Sequence, residues 1–267
     1  MTAKDLMKAG RLSDARRVLI EEVKSAPTDV GKRTLLFQVL AMGGEWDKAL
    51  IHLDMISTQD PTRTVGVHTY LNIIEAEKER LKVVQLSQPP SILPEPPAYF
   101  GKYQEYLAAI QAGRFDDAKG LMEQIDKQKP MVSGTLNSKE FDGFSDTDAR
   151  LYPFLEAFVH ERYVWIPFEA IRELVIHEPR TSFDLIWVMA GITTWEGLTM
   201  NCCLPVVYPE TFLYENEQAK LGRLTDWVPL GNGFAKALGQ HVFQVGDEEM
   251  AILDIREVTF QLEGGQP

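Results

Sequence analysis

Cysteine is almost missing from this chain: its 267 residues hold two, adjacent at Cys202 and Cys203. Neighbouring thiols build no disulfide framework, so a reducing compartment, the cytoplasm, is the expected location. No apolar run is long enough to span a bilayer as a helix, and no membrane partner is expected. The opening residues, MTAKDLMKAGRLSDARR, are charged and helical in pattern and lack an apolar h-region, so export by a signal peptide is not expected. Catalytic signatures are lacking as well. There is no P-loop, no GxGxxG and no GxSxG, and Gly231-Asn232-Gly233 reads as a loop. The five histidines (His52, His68, His160, His177 and His241) show no HExxH spacing, and no CxxC exists, so neither metal nor cofactor is expected. Cys202 and Cys203 lie in MNCCLPVVY, where apolar neighbours raise a thiol's pKa and keep it inert. No carboxylate pair stands out, no catalytic residue is named, and the chain reads as a non-enzyme.

Positive charge is scarce in one half only. From Phe141 to Pro267 the chain carries 8 Lys and Arg against 20 Asp and Glu, whereas the part before it has 19 of each. The formal net charge of −12 therefore belongs to the C-terminal half. Such a surface repels phosphate backbones and disfavours nucleic acid as a partner. It also serves solubility.

What is present is a repeat. GRLSDA at Gly10 to Ala15 returns as GEWDKA at Gly44 to Ala49 and as GRFDDA at Gly113 to Ala118. Each copy has Gly first, a large apolar residue third (Leu12, Trp46, Phe115) and Ala sixth, and a proline (Pro27, Pro61, Pro130) follows 12 residues after the Ala. The first two copies are 34 residues apart and the third lies 69 further on, close to two more periods. This is the tetratricopeptide spacing, one helix–turn–helix per unit. Gly permits the left-handed turn that closes one helix, Ala lets two backbones approach, and Pro stops the second helix.

In order, helices are expected over 2–9, 12–25, 30–42, 47–57, 64–86, 100–111 and 115–128. The repeat is missing where the period predicts it, near 78–83. Gln88 to Pro97 (QPPSILPEPP) holds five prolines and reads as an extended spacer. Residues 131–145, polar and rich in Gly and Ser, read as a domain boundary. Beyond Asp148 the pattern is strand-like: FLEAFVHERYVWIPF, SFDLIWVMAGITTWEG, CCLPVVYP and HVFQVGDEEMAILDIREVTF. Gly246-Asp247 reads as a hairpin turn and Phe168 to Leu174 as one helical turn. Tyr163, Trp165, Phe168, Trp187, Trp195 and Trp227 read as core aromatics. The expected fold has two domains, a tetratricopeptide-like α-α superhelix over 1–140 and an acidic, small all-β, barrel-like domain over 141–267.

In tetratricopeptide pairs the first helix lines a concave surface that takes up peptides or helices. The period places Thr34, Gln38 and Met42 there, then His68 and Asn72, then Tyr103 and Leu107. The last two would suit an amphipathic helix, and exposed apolar groove residues are compatible with a homodimer. The competing reading is that the irregular array closes on itself and buries them. Two other functions remain open. A co-chaperone-like adaptor reading a peptide carboxylate needs a cluster of Lys, Arg and Asn on the inner faces, where Asn72 stands alone. An enzyme with an unrecognised site in the β half needs a pocket converging on His160, His177 or His241 with carboxylates.

The order of repeat region, Pro-rich spacer, DTDARLYPFLEAFVHERYVWIPFEAIREL, PRTSFDLIWVMAGIT, LPVVYPET and LTDWVPLG resembles the ImpE/SciE family, also called TagJ. The resemblance spans nearly the whole chain and is most specific over 163–174 and 184–190. It implies a non-enzymatic cytoplasmic accessory component of bacterial type VI secretion. It implies as partners the N-terminal helix of the small sheath subunit and, by way of the sheath, the ClpV-type disassembly ATPase. No site residue is carried over, because the family offers no catalytic motif.

Overall fold

A computed structural model describes residues 1–262. Helices α1 (Ala3–Lys8), α2 (Leu12–Ser25), α3 (Val30–Met42), α4 (Trp46–Gln59) and α5 (Thr64–Val84) pack each on the next. A two-residue strand, β1 (Ser91–Ile92), lies within the Pro-rich spacer, and a last helical pair follows, α6 (Phe100–Gln111) and α7 (Phe115–Asp126). Gly10, Gly44 and Gly113 have φ of +76°, +69° and +68°. After each, the next residue's N–H returns 2.9 Å to a carbonyl five residues back, Leu6, Leu40 or Ala109. That closure is the Schellman motif. The repeat Ala residues, Ala15, Ala49 and Ala118, are completely buried where helices meet. A fourth such turn closes α5 without glycine: Leu86 takes φ +53°, and Ser87 N–H donates to Lys82 O at 2.9 Å. A glycine-based repeat search passes over it.

The strand-rich part begins earlier than the sequence suggests. Residues 131–145 form β2 (Val132–Leu136), β3 (Lys139–Asp142) and β4 (Phe144–Asp146) instead of a linker. Their Gly and Ser residues occupy strand positions, and Gly134 pairs with Phe260 so closely that a side chain would strike Thr259 O. There follow β5 (Phe154–Val159), β6 (Arg162–Pro167), β7 (Ile171–Ile176), β8 (Trp187–Thr194) and β9 (Thr199–Pro205). After them come a short helix α8 (Glu217–Lys220), then β10 (Thr225–Gly231), β11 (Phe234–Gly239), β12 (Val242–Val245), β13 (Glu248–Ala251) and β14 (Glu257–Leu262). The expected hairpin at Gly246-Asp247 joins β12 to β13. The expected helical turn is a single 3-10 turn over Phe168–Ala170.

The barrel expected from sequence is not formed. Nine strands make an open sheet, in the order β1-β6-β5-β9-β8-β7-β14-β2-β3, beside a pair β10-β11 and a three-stranded sheet β13-β12-β4. The physical reason lies in the strands. On β6, Tyr163 and Trp165 point to one core while Val164 and Ile166 point to another. A strand buried on both faces needs a layer on each side. The helices cover one face of the sheet, and the three-stranded sheet packs on the other.

Helices and strands therefore share a core that runs from Leu6 and Ala15 through Phe37 and Tyr103 to Phe154 and Trp187. The segment between β9 and β10 grips the helical turns. Glu217 accepts from the N–H groups of Leu12 (2.8 Å) and Ser13 (2.9 Å), capping α2, which has no cap of its own. Arg223 donates to Met7 O (2.8 Å) and Lys8 O (2.9 Å) at the C-terminus of α1. Gln218 lies on Gly10 and the Phe212 ring on Gly44.

A Cβ on Gly44 would stand 2.3 Å from Phe212, whereas one on Gly113 would meet nothing nearer than 4.0 Å. In urea unfolding, Gly113→Ala is expected to cost about 1 kcal/mol for its left-handed φ. Gly44→Ala should cost about 1–3 kcal/mol more, for overpacking. Equal losses would show that Phe212 does not constrain the turn.

Candidate functional site

Two features lie where the helices meet the sheet: a buried lattice of charges and, beside it, an open cleft. The lattice starts on α5, where Glu77 and Arg80 sit one turn apart on the buried face beside Ile73, Ile74 and Val83. On β5 the alternation FLEAFV turns Phe154, Glu156 and Phe158 towards the helices, so a carboxylate arrives opposite Arg80. Arg80 Nε and Nη2 donate to the two Glu156 oxygens at 2.9 and 2.6 Å, and Nη2 also reaches Val207 O at 2.9 Å. Glu77 accepts from Trp187 Nε1 at 2.8 Å, and Tyr163 OH donates to Glu156. His241 stands between carboxylates, Nδ1 at 2.9 Å from Asp146 and Nε2 at 3.0 Å from Glu156. Asp146 also accepts from Tyr208 OH at 2.8 Å.

Burial by itself would raise the Glu156 carboxyl, but the Arg80 guanidinium outweighs it and holds the group far below the usual carboxylate range. Burial likewise opposes charge on His241, yet Asp146 and Glu156 outweigh it and raise the imidazole. When protonated, the ring can donate from both nitrogens. The lattice has no open reacting end: the adjoining cavity, lined by Met42, Trp46 and Tyr208, measures about 30 Å³, room for one water. Among the described residues no group of three His, Cys, Asp or Glu has metal-binding geometry. Cys202 and Cys203 are free and buried, and burial pushes the Cys202 thiol up to about 12.

The cleft opens where the helical array is interrupted, at the C-terminal ends of α5 and α6. Val83, Leu86, Leu107, Ile110, Trp165 and Leu230 form its apolar wall, and it encloses about 330 Å³. Arg150, Glu210 and Lys236 form a polar edge, with Glu210 accepting from Lys236 at 2.6 Å and Arg150 at 3.2 Å. Among the described residues six non-glycines have positive φ, and two of them line it, Leu86 (+53°) and Glu210 (+64°). Left-handed strain costs about 1–2 kcal/mol per residue and collects at binding sites.

Of the groove residues named from sequence, Leu107 lies in this cleft and Met42 in the smaller cavity. Tyr103 is fully buried, its ring 5.0 Å from Phe154 and its hydroxyl bonded to Arg150 O. Gln38 is buried and accepts from Ser182 Oγ at 3.0 Å. Thr34 donates to Val30 O at 2.8 Å, Asn72 is half-buried and His68 is exposed. The inner helical faces are thus met by the chain's own β7–β8 loop and sheet: Phe183 of the loop stacks on Tyr70 at 4.3 Å, and Trp187 of β8 follows it. Sequence reasoning missed Arg80, Glu156 and Asp146. The available signal was a carboxylate at an inward position of an apolar strand, which has to find a cation.

The ImpE protein family model matches residues 138–259. The chain is 34% identical over 261 residues, 98% of its length and 92% of the relative's, to the type VI secretion system accessory component TagJ of Pseudomonas aeruginosa. A crystal structure of a Vibrio parahaemolyticus protein superposes with a TM-score of 0.88, covering 98% of both chains at 21% identity. At that identity the likeness is one of fold.

Removing Arg80 leaves Glu77 and Glu156 buried without their cation, so Arg80→Met is expected to cost about 3–5 kcal/mol in urea unfolding. Loss of under about 1 kcal/mol would show that the lattice is not cohesive. The raised His241 value sets the sign of the pH dependence. Its contribution is complete below the ordinary imidazole value of 6.5 and is lost as pH rises through the folded value. The urea midpoint should therefore fall as pH rises above about 6.5, and His241→Gln should flatten that slope.

Proposed function

The chain belongs to the ImpE family, and from that premise we propose that it works as a non-enzymatic cytoplasmic adaptor of a type VI secretion system. In this reading it holds the N-terminal helix of the small sheath subunit and so helps bring the ClpV-type ATPase to the sheath. The kinship to TagJ supports the system, and the cleft supports the mode of binding. An amphipathic helix docks by setting apolar side chains one turn apart into a groove with a polar rim. Here the groove is the apolar wall at Leu86, Leu107 and Ile110, and Arg150, Glu210 and Lys236 supply the rim. Its volume is within the range of side-chain and ligand pockets. Of the tetratricopeptide-like inner surface, this reading retains Leu107. Tyr103 and Gln38 are buried within the chain, Met42 lines the smaller cavity, and Thr34, His68 and Asn72 lie outside the lining of the cleft.

The observation that carries the proposal is Leu86, an apolar residue held 39% exposed in a left-handed turn that three sister turns give to glycine. Asn adopts this conformation more readily than Leu. Leu86→Asn should therefore leave stability unchanged or higher while weakening binding of the sheath subunit's N-terminal peptide about tenfold by calorimetry. Val65→Asp, on the exposed start of α5, should change nothing. Absence of binding to the unaltered protein, or binding indifferent to Leu86→Asn, would remove the assignment.

A further inference from the structure

We propose that the uncovered half of the nine-stranded sheet is a second docking surface, made for a basic amphipathic helix of a partner protein. On the helix-facing side, the chain's own layer reaches β6, β5, β9 and the near end of β8 and stops at Trp187. Further along that side nothing in the described chain covers β7, β14, β2 and β3. The register fixes what is displayed. Glu140 pairs with Thr135, Thr135 with Thr259, and Thr259 with Glu173, giving one row across four strands. Two carboxylates thus stand roughly 14 Å apart, at about 4.8 Å per strand, over a floor of small Thr side chains. In the next row Glu257 pairs with Val175, and Val175 with Gly191. Val175 (44% exposed) and Met189 (39% exposed) form an apolar spot on adjacent strands.

The charge identifies the occupant. Glu140 and Glu257 make no ion pair among the described residues, and Glu173 is met only by the neighbouring Arg172 at 3.5 Å. An apolar spot between carboxylates on a flat, small-residue floor complements a helix with an apolar ridge bordered by Lys and Arg. Such a helix would continue the layer that α3 and α5 begin. The surface is separate from the cleft at Leu86 and does not depend on what the cleft holds.

The test uses the full chain and a synthetic amphipathic helix of leucine and lysine, with calorimetry at low and high salt. Glu140→Lys/Glu173→Lys/Glu257→Lys is expected to weaken binding about tenfold. The same charge change on the outer helical faces, Asp54→Lys/Glu105→Lys/Glu123→Lys, should cost less than about threefold. Amide exchange should slow in β7 and β14 on binding, and Leu86→Asn should leave this affinity alone. Equal losses in both triple variants would assign the binding to net charge and overturn the proposal. So would absent binding, or protection confined to the helices.

Discussion

The Arg80–Glu156 contact is the constraint on which the architecture turns. It joins the long helix α5 to β5 of the nine-stranded sheet, and both side chains are almost wholly withdrawn from water. A buried carboxylate or guanidinium alone is costly, so each needs the other in place. Glu77, His241, Asp146 and the hydroxyls of Tyr163 and Tyr208 complete the arrangement. Apolar packing between helix and sheet tolerates sliding, whereas this lattice admits one alignment of α5 over β5 and β6. That fixed alignment holds the C-terminal end of α5, and with it Leu86, at the edge of the cleft.

The segment between β9 and β10 supplies the second restraint. By capping α2 with Glu217, closing α1 with Arg223 and seating Phe212 on Gly44, it makes the helical turns depend on residues some two hundred positions away. The repeat glycines at positions 10 and 44 thus answer to two demands, a left-handed φ and a close approach by the strand-rich half. Gly113 answers only to the first. In an array of helical hairpins clamped in this way, the cleft opens where the pattern breaks, after α5.

The proposed binding mode follows from that break. A regular array would present one continuous inner surface, but here the loop before β8 and the sheet have filled it with Phe183, Trp187 and Phe154. The two proposed binding surfaces lie instead at the ends of α5 and α6 and on the far half of the sheet. The two differ in chemistry, one apolar with a polar rim and the other acidic.

The sequence by itself determined the helices and their hairpin turns, because Gly, Ala and Pro at fixed offsets act through local backbone sterics that need no tertiary partner, and the segments over 163–174 and 184–190 carried the family resemblance. It also located the hairpin at Gly246-Asp247 and the inert Cys202 and Cys203. It could not decide that residues 131–145 are strand, since Gly and Ser there are tolerated only through pairing with β14. Nor could it decide that the sheet stays open, or that Tyr103 and Gln38 turn inward while Leu107 reaches a cleft. The pairing of Arg80 with Glu156, 76 residues later, was likewise invisible. Period and composition report on neighbours along the chain, and these outcomes rest on which distant side chains meet when two layers close over a third.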